Sequence, residues 1–217
     1  MPNESLRLLP LKEYAGVDNN DPIRFYFWPF VGPLYRRRVE LCLDECKGGG
    51  RVLEVGFGSG LAFINLSSRY EEVHGLDLTA SIADVGALFK KHKIETFLRN
   101  GSVLEMPYPD GFFDTVLCIS ILEHLKPYEL DKAFSEIRRV LKREGQVVYG
   151  VPANNAFMKI CFLILGYDIR RHHFSSERDV SGAARRALTE VKITALKGGV
   201  PFSGSVYEIG HFVNRNS

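Results

Sequence analysis

The chain has 217 residues, of which 45% are hydrophobic and 25% are charged, with a net charge of +2. This balance is typical of one ordinary globular domain with a well-buried core, and the small net charge argues against strong attraction to nucleic acid or an anionic membrane. The most apolar windows are about half the ~20 residues that a membrane-spanning helix needs.

Cysteine usage and the N-terminus bear on the cellular compartment. The spacing of Cys42, Cys46, Cys118 and Cys161 matches no zinc pattern, and most of these residues lie in apolar segments typical of buried thiols. No basic stretch followed by an apolar run opens the sequence. We therefore expect reduced thiols and a cytoplasmic location.

The first fifty residues combine a polar arm, an aromatic segment and a helix. Residues 1–21 are mixed and proline-punctuated, which predicts a loosely ordered arm. The segment 23–30, IRFYFWPF, is dense in aromatic side chains, and three interpretations stay open: core, a lid over a binding site, or an interfacial membrane contact. A predicted helix then ends at the glycine run 48–50.

Strands and helices alternate through the middle of the chain. Apolar strands are predicted at 51–55, 72–78, 94–100, 114–120 and 146–152, and helices at 60–70, 81–93 and 128–145. This order predicts an α/β fold with a doubly wound, mostly parallel sheet and helices on both faces.

The last third of the chain has a different pattern. It contains a predicted helix at 155–168, a polar loop that carries His172 and His173, and a short predicted helix at 181–188. Two consecutive strands follow at 190–198 and 204–215. They predict an antiparallel hairpin at the edge of the sheet.

The first strand leads into a glycine-rich turn, RVLEVGFGSGLAF, in which an acid precedes alternating glycines at Gly56, Gly58 and Gly60. In a dinucleotide-binding fingerprint the third glycine would stand at position 61, which is Leu61 here. A Walker loop would need a Gly-Lys-Ser/Thr ending, which is missing. The carboxylate of Glu54 would repel a pyrophosphate by several kcal/mol if partly desolvated.

An acid beside a glycine turn favours a ligand that is cationic and free of phosphate. S-adenosylmethionine has an ammonium group, a sulfonium group and no phosphate. Its ribose diol needs an acceptor, and Asp77 closes the second strand about 20 residues further on, where such a carboxylate can accept from both hydroxyls.

Four segments in order resemble motifs of the class I, seven-stranded S-adenosylmethionine-dependent methyltransferases, and most closely the type 11 subgroup. They are LEVGFGSG, GLDL, NGSVLEMPYPDGFFDTVLCISILEHL and LKREGQVVYGVP. The resemblance implies a strand order of 3-2-1-4-5-7-6 with strand 7 antiparallel. It also implies a single domain: 1–32 as an arm that could form a lid, 33–152 as the cofactor-binding core, and 153–217 as acceptor-side helices and the terminal hairpin.

The same resemblance implies a set of contacts to S-adenosylmethionine, whose product is S-adenosylhomocysteine. The implied contacts are Glu54, Gly56, Phe57, Gly58, Gly60, Asp77, Leu78, Ser102, Val103, Ile119 and Ser120. Two positions depart from the family pattern. Ser102 stands where many relatives have the acid that accepts from the adenine amino group, so either its hydroxyl or the Val103 amide would take that role. Glu144 replaces a glycine before the fifth strand.

Histidines supply the candidate general bases. His124 follows the fourth strand at the edge where ligands of such folds bind, and His172 and His173 lie in the later polar loop. The alternatives are that His124 caps or packs its loop and that the other two are solvated. Glu123 either shapes the sulfonium end of the site or is a surface acid. Some relatives bind a divalent metal through E-x-x-E-H, but Ser120 replaces the first acid, so no metal site is predicted.

These features predict a methyltransferase that acts on oxygen, nitrogen or carbon of a small molecule, with an apolar or lipid-like acceptor left open. One alternative is a protein or nucleic-acid acceptor, which the low charge and the missing basic recognition domain disfavour. Another is a relative that binds S-adenosylmethionine without transferring methyl groups. Peripheral membrane contact is not favoured, and the oligomeric state stays open.

Overall fold

A seven-stranded sheet organises the computed structural model, which describes residues 5–14, 17, 23–155, 173–198 and 204–215. The strands are β1 (Gly49–Val55), β2 (Tyr70–Asp77), β3 (Thr96–Asn100), β4 (Phe113–Ile119), β5 (Leu141–Pro152), β6 (Thr189–Lys197) and β7 (Ser205–Val213). Their order in the sheet is β3-β2-β1-β4-β5-β7-β6. The pairs β5–β7 and β6–β7 are antiparallel and the other pairs are parallel, so the predicted order and the predicted direction of strand 7 are both confirmed.

Helices cover both faces of this sheet. The described helices are α1 (Gly32–Glu45), α2 (Phe63–Leu66), α3 (Ile82–Lys91), α4 (Pro127–Val140) and α5 (Glu177–Ala187). Successive side chains of a strand point to opposite faces, and in β1 Val52 joins the core under α1 and α3, whereas Leu53 joins the core under α4 and α5. The predicted helix at 155–168 lies almost wholly outside the described residues. No helix in the described ranges is long and apolar enough to cross a membrane.

Several element boundaries differ from the prediction. The helix predicted to reach residue 145 ends at Val140, because Leu141 is buried and pairs with Phe113 of β4 as the first residue of β5. The helix predicted at 181–188 begins earlier, at Glu177, because Ser176 caps its first turn and exchanges hydrogen bonds with Asp179. Such a cap is worth about 1 kcal/mol.

The described part of the N-terminal arm is packed rather than loose. Leu6, Leu9 and Tyr14 are buried. The side chain of Asn65 exchanges two hydrogen bonds with the backbone of Arg7, at 3.0 and 2.9 Å. The expectation of a loose arm is therefore wrong for residues 5–14, because apolar side chains between the polar ones anchor the segment.

The aromatic segment that follows divides between interior and surface. Phe25 and Tyr26 are buried, whereas Trp28 is 49% exposed and Phe30 is 94% exposed. The core interpretation is right for the first two and wrong for the last two. The ring of Phe25 lies 5.3 Å from that of Trp28, so the exposed part is attached directly to the packed part.

Strand order at the centre of the sheet positions the candidate site. From β1 the chain moves through α2 to β2 on one side, whereas β4 leads to β5 on the other side. The connections leave β1 and β4 in opposite directions, which opens a crevice at the carboxyl ends of these two strands. Open α/β sheets bind their ligands in this place.

Candidate functional site

The glycine-rich turn leaves β1 in a conformation that side chains would block. Gly56, Gly58 and Gly60 have φ angles of 71°, 49° and 71°, all in the left-handed region. A Cβ on Gly56 would lie 2.0 Å from Cγ2 of Ile121, and one on Gly60 would lie 2.6 Å from the ring of Phe89. The alternating glycines are therefore explained by backbone conformation and close packing.

Asp77 at the end of β2 lies directly against this turn. Its Oδ2 accepts a hydrogen bond from the backbone N–H of Gly58 at 3.0 Å. Its Oδ1 accepts from the N–H groups of Thr79 and Ala80 at 2.8 and 2.9 Å. The carboxylate is thus fixed in position, and three N–H groups occupy three of its roughly four lone-pair directions, which leaves one for a further donor. The next residue, Leu78, is 71% exposed at the same edge.

Glu54 is a buried acid at the end of β1. Only 4% of it is exposed, and its backbone pairs with Gly75 of β2 and Leu117 of β4. Its charge acts on two neighbouring thiols. Burial raises the pKa of Cys118 and of Cys42, and Glu54 raises both further. A carboxylate in such surroundings attracts a cationic group.

The segment after β3 borders the same crevice through Asp77. The N–H of Gly101 donates to the carbonyl of Asp77 at 3.0 Å. The hydroxyl oxygen of Ser102 accepts from the N–H of Leu104 at 3.1 Å, so this side chain already stabilises its own turn. The side chain of Val103 is buried in the core. Phe57 is likewise buried with its ring 5.6 Å from Phe63, so its backbone is the part that can meet a ligand.

β4 ends at Ile119, and Ser120 then turns the chain with a φ angle of 55°, a conformation that residues other than glycine rarely adopt. Its N–H donates to the carbonyl of Gly150 at 2.8 Å, and its Oγ lies 2.8 Å from the hydroxyl of Tyr207. Strain of this kind persists where surrounding contacts fix it, often at functional sites.

Sequence reasoning missed Arg38, which lies on α1 next to this turn. Its Cζ lies 4.1 Å from the ring centroid of Tyr35 and 5.1 Å from that of Tyr207, and its Nη2 donates to the hydroxyl of Tyr26 at 3.4 Å. Its Nε is buried and has no hydrogen-bond partner among the described residues. A signal existed, because Arg38 precedes the buried Cys42 by four residues and so shares its helix face.

A second polar cluster follows β4. A 3₁₀ turn, Leu122–His124, carries Glu123, which is 2% exposed. Burial raises the pKa of Glu123 to about 8, whereas Arg38 acts in the opposite sense. The ring of His124 lies 5.2 Å from that of His173. The structure thus brings together two of the three candidate histidines, whereas His172 lies outside the described residues.

Comparison with known proteins agrees with this geometry. Residues 53–149 match the family model described as "Methyltransferase domain". An uncharacterized methyltransferase of Bacillus subtilis is 32% identical over 104 residues, which cover 47% of this chain and 40% of that protein. A ubiquinone biosynthesis O-methyltransferase of Alkalilimnicola ehrlichii is 30% identical over 138 residues, 63% of this chain and 54% of that protein. The chain spans about half the length of the curated relatives it matches.

Solved structures share the fold over nearly the whole chain. The N-methyltransferase NodS of Bradyrhizobium japonicum in complex with S-adenosylhomocysteine has a TM-score of 0.68 and 19% identity. The structural match covers 94% of this chain and 96% of NodS. At this identity the likeness establishes the fold.

Proposed function

We propose that this chain, whose residues 53–149 match a family model for methyltransferase domains, is a class I S-adenosylmethionine-dependent methyltransferase that transfers a methyl group to a small-molecule acceptor. The observation that carries the proposal is the hydrogen bond between the N–H of Gly58 and Asp77, which joins the glycine turn to a carboxylate fixed at the end of β2. A buried acid, Glu54, precedes the same turn.

Each part of the cofactor has a chemical counterpart in the crevice. Asp77 would accept hydrogen bonds from the ribose hydroxyls, and Ser102 and the Val103 amide would lie on the adenine side. Glu54 would attract the ammonium group. Arg38, whose buried Nε has no hydrogen-bond partner among the described residues, would take the carboxylate. An anion in this position would satisfy a donor that is otherwise costly to bury.

Glu54 and Arg38 would together form the site for the amino-acid group of the cofactor. Both charges act on the thiol of Cys42, where burial raises the pKa, Arg38 opposes that shift and Glu54 adds to it. A half-buried cation and a buried anion that both act on this thiol suit a zwitterion. This is the charge pattern of the methionine end of the cofactor.

When bound, S-adenosylmethionine supplies a methyl carbon whose bond to sulfur breaks as the acceptor forms its own bond to that carbon. The residues of the chain hold and align the two partners, which can lower the barrier by about 7–11 kcal/mol. For a hydroxyl acceptor, a neutral imidazole of His124 or His173 would take the departing proton.

The small-molecule class of acceptor rests on charge and on relatives. The net charge of +2 gives the surface little general attraction for nucleic acid. Relatives are named for ubiquinone biosynthesis and for malonyl-[acyl-carrier protein] O-methylation. Phe174, half exposed beside His173, offers an apolar surface at the acceptor side.

Calorimetry and methyl transfer test the proposal together. The full chain should bind S-adenosylmethionine and S-adenosylhomocysteine, and label from methyl-labelled cofactor should move to a low-mass fraction of a cell extract. No binding at millimolar cofactor would overturn the proposal. Label found only in the protein or nucleic-acid fraction would overturn the acceptor class.

Arg38→Met tests the missed residue. Losing a charge-assisted hydrogen bond, worth about 1.5–3 kcal/mol, should weaken cofactor binding roughly 10- to 150-fold. The neighbouring Arg37→Met is the matched control, because Arg37 pairs instead with Glu40 at 3.3 Å and with Asp44 at 3.7 Å. Equal affinities of the two variants would remove Arg38 from the site.

A further inference from the structure

We propose that Glu123, His124 and His173 bind one first-row transition-metal ion, of which Zn²⁺ is the best match, on the acceptor side of the crevice. One oxygen of Glu123 and one ring nitrogen of each histidine all lie within 4.8 Å of one another. The sequence alone predicts no metal here, because Ser120 stands in the place of a carboxylate. The structure brings in a histidine that is distant in sequence.

Backbone contacts hold this histidine beside the turn that carries the other two ligands. The N–H groups of Phe174 and Ser175 both donate to the carbonyl of Glu123, at 2.8 and 3.2 Å. The hydroxyl of Ser175 donates to the carbonyl of Leu125 at 2.6 Å. The residues that follow His173 therefore fix its position through hydrogen bonds to the turn that carries Glu123 and His124.

The carboxylate of Glu123 gives independent support for a bound ligand. The residue is 2% exposed, and its Oε2 is buried with no hydrogen-bond partner among the described residues. A buried polar atom normally has a partner, because leaving it without one costs about 1–3 kcal/mol. A cation between Glu123 and the two imidazoles would satisfy this atom.

The ligand types select the class of ion. Two imidazole nitrogens and one carboxylate suit zinc and neighbouring transition metals, whereas magnesium prefers an oxygen shell. Zinc bonds of about 2.0–2.1 Å at tetrahedral angles put ligand atoms about 3.3 Å apart. The described ligand atoms lie up to 4.8 Å apart, so the side chains would draw closer when the ion binds. Three protein ligands leave a fourth position open.

The open position would suit an oxygen of the acceptor. Glu123 and His124 follow Ile121, whose side chain packs on Gly56 of the cofactor turn. A metal ion there would hold an acceptor hydroxyl and lower its pKa, so that the hydroxyl proton would leave to solvent water. This role rests on the proposed function, and it replaces the general-base role of the histidines, since a coordinated nitrogen cannot take a proton.

Metal binding is tested on tag-free full-length protein after chelation, without cofactor or acceptor. Titration calorimetry should give one Zn²⁺ per chain, and Co²⁺ should produce the visible absorption of a low-coordinate site. Mg²⁺ should bind at least about 10-fold more weakly than Zn²⁺. Stronger or equal binding of Mg²⁺ would overturn the assignment of the ion.

Variants assign the site to these residues. His124→Ala, His173→Ala and Glu123→Gln should each weaken Zn²⁺ binding by at least about 10-fold. His92→Ala is the matched control, because His92 also lies beside a carboxylate, Glu13 at 2.7 Å, but outside the cluster.

Circular dichroism shows whether each variant is folded. The side chain of His124 is exposed, so we expect His124→Ala to fold even if the other variants do not. Unchanged Zn²⁺ affinity in folded variants would sink the proposal. Because the assay needs no methyl transfer, loss of this proposal leaves the proposed function standing, and failure of cofactor binding leaves the metal site intact.

Discussion

Replacement of Asp77 by alanine is the sharpest test of the cofactor side of the crevice. The substitution removes the carboxylate that accepts from the N–H of Gly58 at 3.0 Å and from the N–H groups of Thr79 and Ala80. It also removes the only group so far assigned to the ribose hydroxyls. We therefore expect weaker cofactor binding together with a less constrained glycine turn.

The magnitude follows from counting hydrogen bonds. Two hydroxyl donors on a charged acceptor would contribute about 1.5 kcal/mol each, or about 3 kcal/mol, which corresponds to roughly 100-fold in affinity. Three backbone N–H groups already share the carboxylate of Asp77. If this competition leaves one net bond for the ribose, the loss falls to about 1.5 kcal/mol, or roughly 10-fold. The expected range is therefore 10- to 100-fold.

The assay is calorimetry with S-adenosylhomocysteine on folded protein. Asp77→Asn keeps one side-chain oxygen for the turn, and it should lose less affinity than Asp77→Ala. Asp131→Asn is the control, since Asp131 lies on α4, is exposed to solvent and pairs with Arg186 of α5. An unchanged dissociation constant in both Asp77 variants would refute the ribose assignment and, with it, the way the glycine turn is used.

Two further predictions address the turn and the pH dependence of stability. Gly58→Val should abolish detectable binding of S-adenosylmethionine in calorimetry, while the circular dichroism spectrum stays native. The reason is that a β-branched residue disfavours the φ of 49° and displaces the N–H that donates to Asp77. Retained binding would show that the ligand lies elsewhere. Burial lowers the pKa of His74, and hydrogen bonding to Glu72 opposes this shift only in part. As the pH falls below about 6.5, His74 is therefore protonated in the unfolded chain before it is protonated in the folded chain. The folded state loses stability over this range. His74→Phe keeps an aromatic ring to stack on Phe97. Between pH 7 and 5 it should reduce the dependence of the unfolding free energy on pH, measured by urea titration, by up to about 1.4 kcal/mol per pH unit. Equal pH dependence in the two proteins would contradict this.

The parts of the site that the sequence predicts are those in which local backbone geometry dictates residue type. A left-handed φ at Gly56, Gly58 and Gly60 requires glycine or strain, so the spacing is visible in the sequence. Asp77 is visible for a related reason, because it stands at the end of a strand whose apolar residues are easy to recognise. The sheet order then follows from the resemblance that these motifs carry.

The remaining parts depend on contacts between distant segments, which periodicity does not reveal. Arg38 belongs to a basic cluster that looks solvated, and its burial depends on Tyr35 and on Tyr207 of the last strand. The approach of His173 to His124 depends on hydrogen bonds from the residues after His173 to Glu123. The spacing to Cys42 indicates the helix face on which Arg38 lies, but no local pattern encodes the contact with Tyr207 or the approach of the two histidines.

Ser120 joins the two halves of the crevice. Its backbone bonds to Gly150 of β5 and its hydroxyl meets Tyr207 of β7, while the next side chain, Ile121, closes on Gly56. Glycine at position 120 would relieve a left-handed conformation that costs about 1 kcal/mol or more, but it would lose the hydroxyl contact that fixes Tyr207 under Arg38. The strained serine therefore fits the proposed arrangement, in which the turn after β1 would hold the cofactor and the turn after β4 would position Glu123 and His124.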